Sequence, residues 1–396
     1  KNLIENIVET RLISDAKLGC FLSGGIDSSL IASIISKISK NKYETFTIGF
    51  DENQYDESKK ASKIAHHLGL KNNTLILDEK KMLDIIPDIN NIYDEPFADS
   101  SQIPTFLLSQ FASQFSKVAL SGDGGDELFG GYNRYFYTTN IWNIASLFPY
   151  SLRNIFLKIA INTPVVFFNL IENTYNTFAP KNKKIYLLSD KIKKLSSKLL
   201  NSKEIESLYI SFITEWNLNE ILDNFPSLNY ASLFKSKKIS HLSFEENMMY
   251  FDSITYLPDD ILTKVDRASM SVGLEVRAPL LSKNILALSY SMSKDQKIYD
   301  NKGKIFLKKM LSEYLPNELI NYPKQGFGVP LSSWIKGPLK EWVYFNITSS
   351  KVRNQSYFDS NKIVKVFDQH CDGNVNLSNK LWPAIIFCDW YNRIYS

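Results

Sequence analysis

Cysteine is scarce in this chain: three in 396 residues, at Cys20, Cys371 and Cys388, with no CxxC spacing. An odd, widely spaced set among apolar neighbours excludes a disulfide scaffold and fits buried free thiols in a reducing compartment, so a cytoplasmic location is expected. No uninterrupted apolar run reaches transmembrane length; the closest, from Ile155 to Ile171, is broken by Lys158, Asn162, Pro164 and Asn169. No signal-peptide pattern opens the chain. It also begins without Met, and a fragment of a longer protein is expected. Charge of one sign is lacking too, the net value being +4. No basic run interleaved with aromatics is present, so neither a nucleic-acid nor a membrane partner is expected. The four histidines show no metal spacing. Neither the GxxxxGK[ST] phosphate loop nor a GxGxxG dinucleotide turn occurs.

What is there is ordinary globular composition, 44% hydrophobic and 22% charged. Over the first 135 residues, strand-like runs alternate with helical patterns. Strands are expected at Lys17–Leu22, Tyr43–Phe50, Asn73–Leu77 and Lys117–Leu120. Helices are expected at Ser28–Ser39, Asp56–Leu68, Lys80–Asn91 and Ile103–Phe115. That alternation predicts an α/β fold with a doubly wound parallel sheet, whose ligands bind at the carboxyl ends of the strands. From 136 to 396 the spacing is mainly helical and is read as a layer packed on the sheet, completing its site. The lysine-rich stretch from Lys181 to Lys203 reads as a solvated helix face or loop.

Two glycine turns follow strands. The first is Ser23-Gly24-Gly25-Ile26-Asp27-Ser28-Ser29. A strand, a glycine turn and a helix N-terminus make an anion site from backbone N–H groups and the helix dipole. Ser23, Ser28 and Ser29 add hydroxyls. Asp27 repels an anion unless a divalent cation lies between them. The plain alternative is a serine-capped connection. The second turn, Leu120-Ser121-Gly122-Asp123-Gly124-Gly125-Asp126-Glu127-Leu128-Phe129-Gly130-Gly131-Tyr132, gathers three carboxylates. Such clustering calls for a cation or a bound proton. The economical reading is Mg²⁺ shared by Asp27 and Asp126, with close backbone approach to a nucleotide at Ser121 and Gly122. The bland alternative is an acidic surface loop.

These two stretches resemble the synthetase domain of glutamine-dependent asparagine synthetases, within the PP-loop ATP pyrophosphatase superfamily. Tyr256 to Met270, Gly273 to Leu281, and Pro323-Lys324-Gln325-Gly326-Phe327-Gly328-Val329-Pro330 agree with it, and the Trp382 to Trp390 tail fits. The resemblance implies ATP with its adenine near Leu22, Ile48 and Gly122 and its pyrophosphate in the Ser23–Ser29 loop (Gly24 and Gly25 included). It implies an acyl-adenylate of a carboxylic acid, aspartate first, which ammonia then converts to the amide. Lys324 is the expected neutraliser of α-phosphate charge. Asp123 stands where the family carries Glu, with a role near the incoming amine, and Asp260 is a second carboxylate there. Asp99, Ser100 and Ser101 match the aspartate-binding segment, the two serines serving equally as helix caps. Glu275 and Arg277 read as an ion pair holding the helical layer to the sheet. Ser282 replaces the family's Asp, which alters local capping.

The family's glutaminase domain has no counterpart in this sequence; it is expected upstream or in trans. A homodimer is an open arrangement. Amidation of another carboxylic acid, such as a uronic acid sugar, and a non-catalytic nucleotide-binding module are the competing readings.

Overall fold

The computed structural model describes residues 1–39, 43–51, 56–180, 184–216, 221–222, 229–321, 328–373 and 375–395. Two compact units emerge. The first joins Lys1–Asn133, Glu245–Ser333 and Trp382–Ser396; the second joins Arg134–Phe244 and Trp334–Leu381. Residues beyond 135 are therefore divided between the two.

The first unit is built on a five-stranded sheet in the order β3-β2-β1-β4-β5. Its strands are β1 (Leu18–Phe21), β2 (Glu44–Phe50), β3 (Lys71–Leu77), β4 (Val118–Leu120) and β5 (Glu275–Arg277). All neighbours pair in parallel, Cys20 lying opposite both Thr45 and Leu120. The helices used below are α1 (Asn2–Arg11), α2 (Ile26–Ile38), α3 (Ser58–His67), α4 (Gln102–Ser113), α5 (Gly125–Phe129), α6 (Thr263–Met270) and α7 (Ile305–Leu311).

Side chains alternate along each strand, so the central strands feed two cores. Leu18, Cys20, Leu22, Val118 and Leu120 pack with α1, α2, α3 and α7. On the opposite face, Phe46 meets Phe111 of α4 edge-on at 6.3 Å between ring centroids, and Phe115 at 5.8 Å. A side chain at Gly19 would overlap the Phe46 ring. A sheet covered on both faces explains why its central strands read as unbroken apolar runs.

Strand order decides where the site lies. From β1 the chain winds outward through β2 to β3, then returns to lay β4 on the other side of β1. The crevice beyond the carboxyl ends of β1 and β4 is the switch point at which open α/β sheets bind ligands. Both glycine turns open there.

Three local expectations change. The helix expected at 80–91 is broken, ending at Asp84 before a 3₁₀ segment, Ile86–Asn91, with Pro87 in its first turn; proline lacks the N–H that a helix interior requires. Glu275 and Arg277 are paired, Nε donating to Oε1 at 2.7 Å, but both lie on β5 and the Glu275 side chain is 56% exposed. The tie that Arg277 makes is to the chain after α1, donating to the carbonyls of Arg11 and Ile13. Ser282 itself caps the helix Lys283–Ser291, accepting from the Ile285 N–H.

The second unit is helical among its described residues, apart from one bridge between Leu222 and Phe358. Ala145, Leu199 and Leu208 centre one of its cores, with Trp142 and Leu157 against them. The Lys181–Lys203 stretch contains the helix Leu188–Leu200, which buries Ser189, Ser196 and Leu199.

Candidate active site

Gly25 caps α2, and the turn before it is held by its own serines. Ser28 Oγ accepts from the Ser23 N–H at 3.2 Å and lies 3.0 Å from Ser23 Oγ, which accepts from the Gly25 N–H. Gly24 takes φ +77°, a conformation that only glycine adopts at no steric cost. The second turn closes against the first. A Cβ at Gly122 would lie 2.7 Å from the Ser28 nitrogen, and one at Gly125 would overlap the Asp27 carboxylate. Gly122 was expected to let a nucleotide approach. Its missing side chain makes room first for Asp27 and Ser28, so the two turns interlock.

That interlock turns Asp27 toward Asp126, and a third residue joins them. Lys304 Nζ donates to Asp27 Oδ2 and lies 2.7 Å from Asp126 Oδ1. The Lys304 side chain is only 7% exposed. Burial disfavours its charge, but the two aspartates outweigh this and raise its pKa. Its backbone is left-handed at φ +58°, anchored by an N–H to the Phe129 carbonyl. The carboxylates thus converge on one cationic atom. Two hard oxygens from two loops suit Mg²⁺, which is held by one or two carboxylates and completes its shell with phosphate oxygens and water. Among the described residues no larger group of His, Cys, Asp and Glu is placed to hold a metal.

A second aspartate–lysine–aspartate grouping lies in the same unit. Lys264 Nζ donates to Asp99 Oδ2 at 2.5 Å and stands 3.7 Å from Asp260 Oδ1. Asp260 lies in a π-helical segment, Leu257–Leu262, that leads into α6, so Asp260 and Lys264 share a helix face. Burial raises both carboxyls, but Lys264 holds Asp99 below the usual range. Asp260, buried and beside the Asp99 charge, is pushed up to about 7. Asp123 is raised as well, chiefly by burial. Glu127 is pushed up to about 7 by burial, although it accepts a 2.6 Å hydrogen bond from the Tyr132 hydroxyl.

A cleft of about 460 Å³ runs between the two groupings. Of the residues singled out from sequence, Leu22, Ser23, Gly25, Asp27, Ser28, Ile48, Asp99, Ser101, Ser121, Gly122, Asp123 and Asp126 line it. Gly24, Ser29, Ser100 and Asp260 are not on its wall; Ser29 is 1% exposed within α2. Ser101 directs its N–H and Oγ at Asp99, fixing that carboxylate rather than capping α4. Lys324 lies outside the described residues. Sequence reading assigned nothing to Lys304, Lys264, Glu127 or Tyr132, all of which line the cleft. No local signal marks Lys304, a single lysine after Gly303 in a stretch read only as helical.

Two interlocked glycine turns at a sheet switch point, each bringing a carboxylate to the Lys304 ammonium, define a parallel α/β protein with a charged cleft at the carboxyl ends of its strands. The chain matches the profile of the family described as "Asparagine synthase" over residues 1–392 and belongs to that family. It is 28% identical to glutamine-hydrolysing asparagine synthetase 1 of Bacillus subtilis, over 99% of this chain and 58% of that protein. It is 31% identical to a putative glutamine-hydrolysing asparagine synthetase of Methanocaldococcus jannaschii, over 68% of this chain and 48% of that protein. A putative counterpart from Mycobacterium tuberculosis is 27% identical over 98% and 56%. The chain spans about half the length of the curated relatives it matches.

Proposed function

We propose that this chain performs ATP-dependent amide synthesis, converting aspartate and ammonia to asparagine with release of AMP and pyrophosphate. The observation that carries this reading is the meeting of Asp27 and Asp126 across two glycine turns at the switch point. The Ser23–Ser28 turn would take the β- and γ-phosphates on its N–H and hydroxyl donors. Mg²⁺ bound by Asp27 and Asp126 would supply charge neutralisation for the departing pyrophosphate. With no lysine inside the first turn, the reacting phosphorus is the α.

In the first step a substrate carboxylate oxygen attacks the α-phosphorus; the bond to the bridging oxygen breaks and pyrophosphate leaves. Lys324, by its motif, would neutralise the charge that develops on the α-phosphate. In the second step ammonia attacks the acyl carbon and AMP departs with its oxygen. Asp123 takes the proton from nitrogen, a task that its raised affinity for protons favours. Asp99 and Lys264, on the cleft wall, position the substrate's other charged groups, and Asp260 acts behind them through Lys264. A glutaminase domain, upstream or in trans, would supply the ammonia, and the chain by itself would use ammonium.

The test is a pyrophosphate-release screen with ATP, Mg²⁺, ammonium chloride and a panel of carboxylic acids that includes uronic acids. Aspartate giving equimolar AMP, pyrophosphate and asparagine is the expected result. ADP and phosphate as products, or release with a uronic acid and not aspartate, would overturn the reaction or the substrate respectively.

A further inference from the structure

Two consecutive helices of the second unit leave most of their large apolar side chains exposed. In the helix Tyr150–Asn162 the buried side chain is Arg153, whose guanidinium lies over Trp142 and Tyr150 and donates to the Ser202 carbonyl. Leu152, Ile155, Phe156 and Ile159 of that helix are exposed, at i, i+3, i+4 and i+7. The next helix, Val165–Phe178, buries Phe168 alone and exposes Phe167, Leu170, Ile171 and Phe178, the last at 85%. A helix of a globular domain turns such a stripe toward its core. Here two consecutive helices each turn a stripe outward, and exposed apolar side chains in such number mark an interaction site.

Charge identifies the occupant. Residues 150–200 hold nine Lys or Arg against two acidic residues, while the whole chain carries 46 against 42. One of the two acids, Glu172, is engaged, accepting from the Leu188 N–H at 2.8 Å. Asn176 clasps Ile185 through both its amide atoms, so the loop bearing exposed Lys184, Tyr186 and Leu187 is pinned to the second helix. Lys158, Lys191 and Lys194 are exposed as well. A second copy would bring the same positive field against itself, whereas an anionic bilayer takes up both the apolar stripes and the lysines. Among the described residues no single helix is long and apolar enough to cross a membrane.

We propose that the 150–200 helical region attaches this protein to an anionic lipid surface, lying in the headgroup plane without spanning it. The test mixes the purified chain with vesicles of phosphatidylcholine alone or of phosphatidylcholine with phosphatidylglycerol, followed by sedimentation. More than tenfold enrichment on the anionic vesicles, weakened by salt, is expected. Phe167→Ser with Phe178→Ser should cost at least tenfold while leaving the circular dichroism and unfolding midpoint unchanged, since both side chains are exposed. Lys191→Glu with Lys194→Glu should lose about fivefold or more per lysine. Failure to sediment, equal binding to both vesicle types, or a dimer by light scattering that Phe167→Ser dissolves would each overturn the proposal, the last assigning the face to a second copy.

Discussion

Two aspartate–lysine–aspartate groupings serve one cleft and handle charge differently. Lys304 is held by two partners at hydrogen-bonding range, from loops that follow two neighbouring strands. Lys264 has one close partner, Asp99, and one loose partner, Asp260. At the first, charge is locked in place. At the second, the surplus carboxyl holds a proton until about neutral pH. The difference fits the division of labour that the proposed adenylate-forming reaction would need. Phosphates carry fixed charge and need fixed partners, whereas amide formation moves a proton and benefits from groups that titrate near the working pH.

The largest expected effect breaks the comparison at its stronger end. Lys304→Met leaves two partly buried carboxylates without their buried ammonium, and breaking a buried pair in this way costs about 3–5 kcal/mol. Lys264→Met should cost roughly half as much, because Asp260 can stay protonated and relieve Asp99. Urea unfolding of both variants at neutral pH checks this; equal losses would show that the groupings are alike.

A smaller effect sharpens the second grouping. Ionisation of Asp260 should appear as a limb near pH 7 in the pH dependence of kcat/KM for pyrophosphate release. Asp260→Asn should remove that limb while leaving turnover within about tenfold at alkaline pH. A limb that stays in place assigns it to another group, with Glu127 the next candidate.

The smallest is a stability trend. Glu127 binds its proton up to about pH 7 when folded, against an ordinary carboxyl value near 4.3 when unfolded. Between those values the folded state holds more protons, so stability falls as pH rises through the window. Glu127→Gln should flatten that fall by roughly 1–3 kcal/mol, read as a change in the pH dependence of the thermal midpoint. An unchanged slope would remove Glu127 as its source.

The parts of the site legible in the sequence were those written in consecutive residues. Each glycine turn carries its signal within about a dozen positions, and a strand before it fixes its direction. Lys304 was not legible because it lies 277 residues from Asp27 and only the fold brings them together. Strand β5 escaped notice because it is three residues long and mixes Glu and Arg with Val, a pattern too short for alternation to show. The helices of 150–178 were legible as helices. Periodicity marks an apolar stripe but does not say whether a core covers it, and here Leu152, Ile155, Phe156 and Ile159 stay exposed while Leu157 and Phe168 pack inward.

The left-handed backbone at Lys304 carries a consequence for anyone redesigning this protein. Judged by backbone preference alone, the position calls for glycine or asparagine, and automated stabilisation would write one of them. The gain in local comfort would remove the ammonium that joins the two turns. Position 304 is thus a place where backbone preference and the ion pairs of the side chain pull in opposite directions, and sequence libraries should hold it fixed while varying its neighbours.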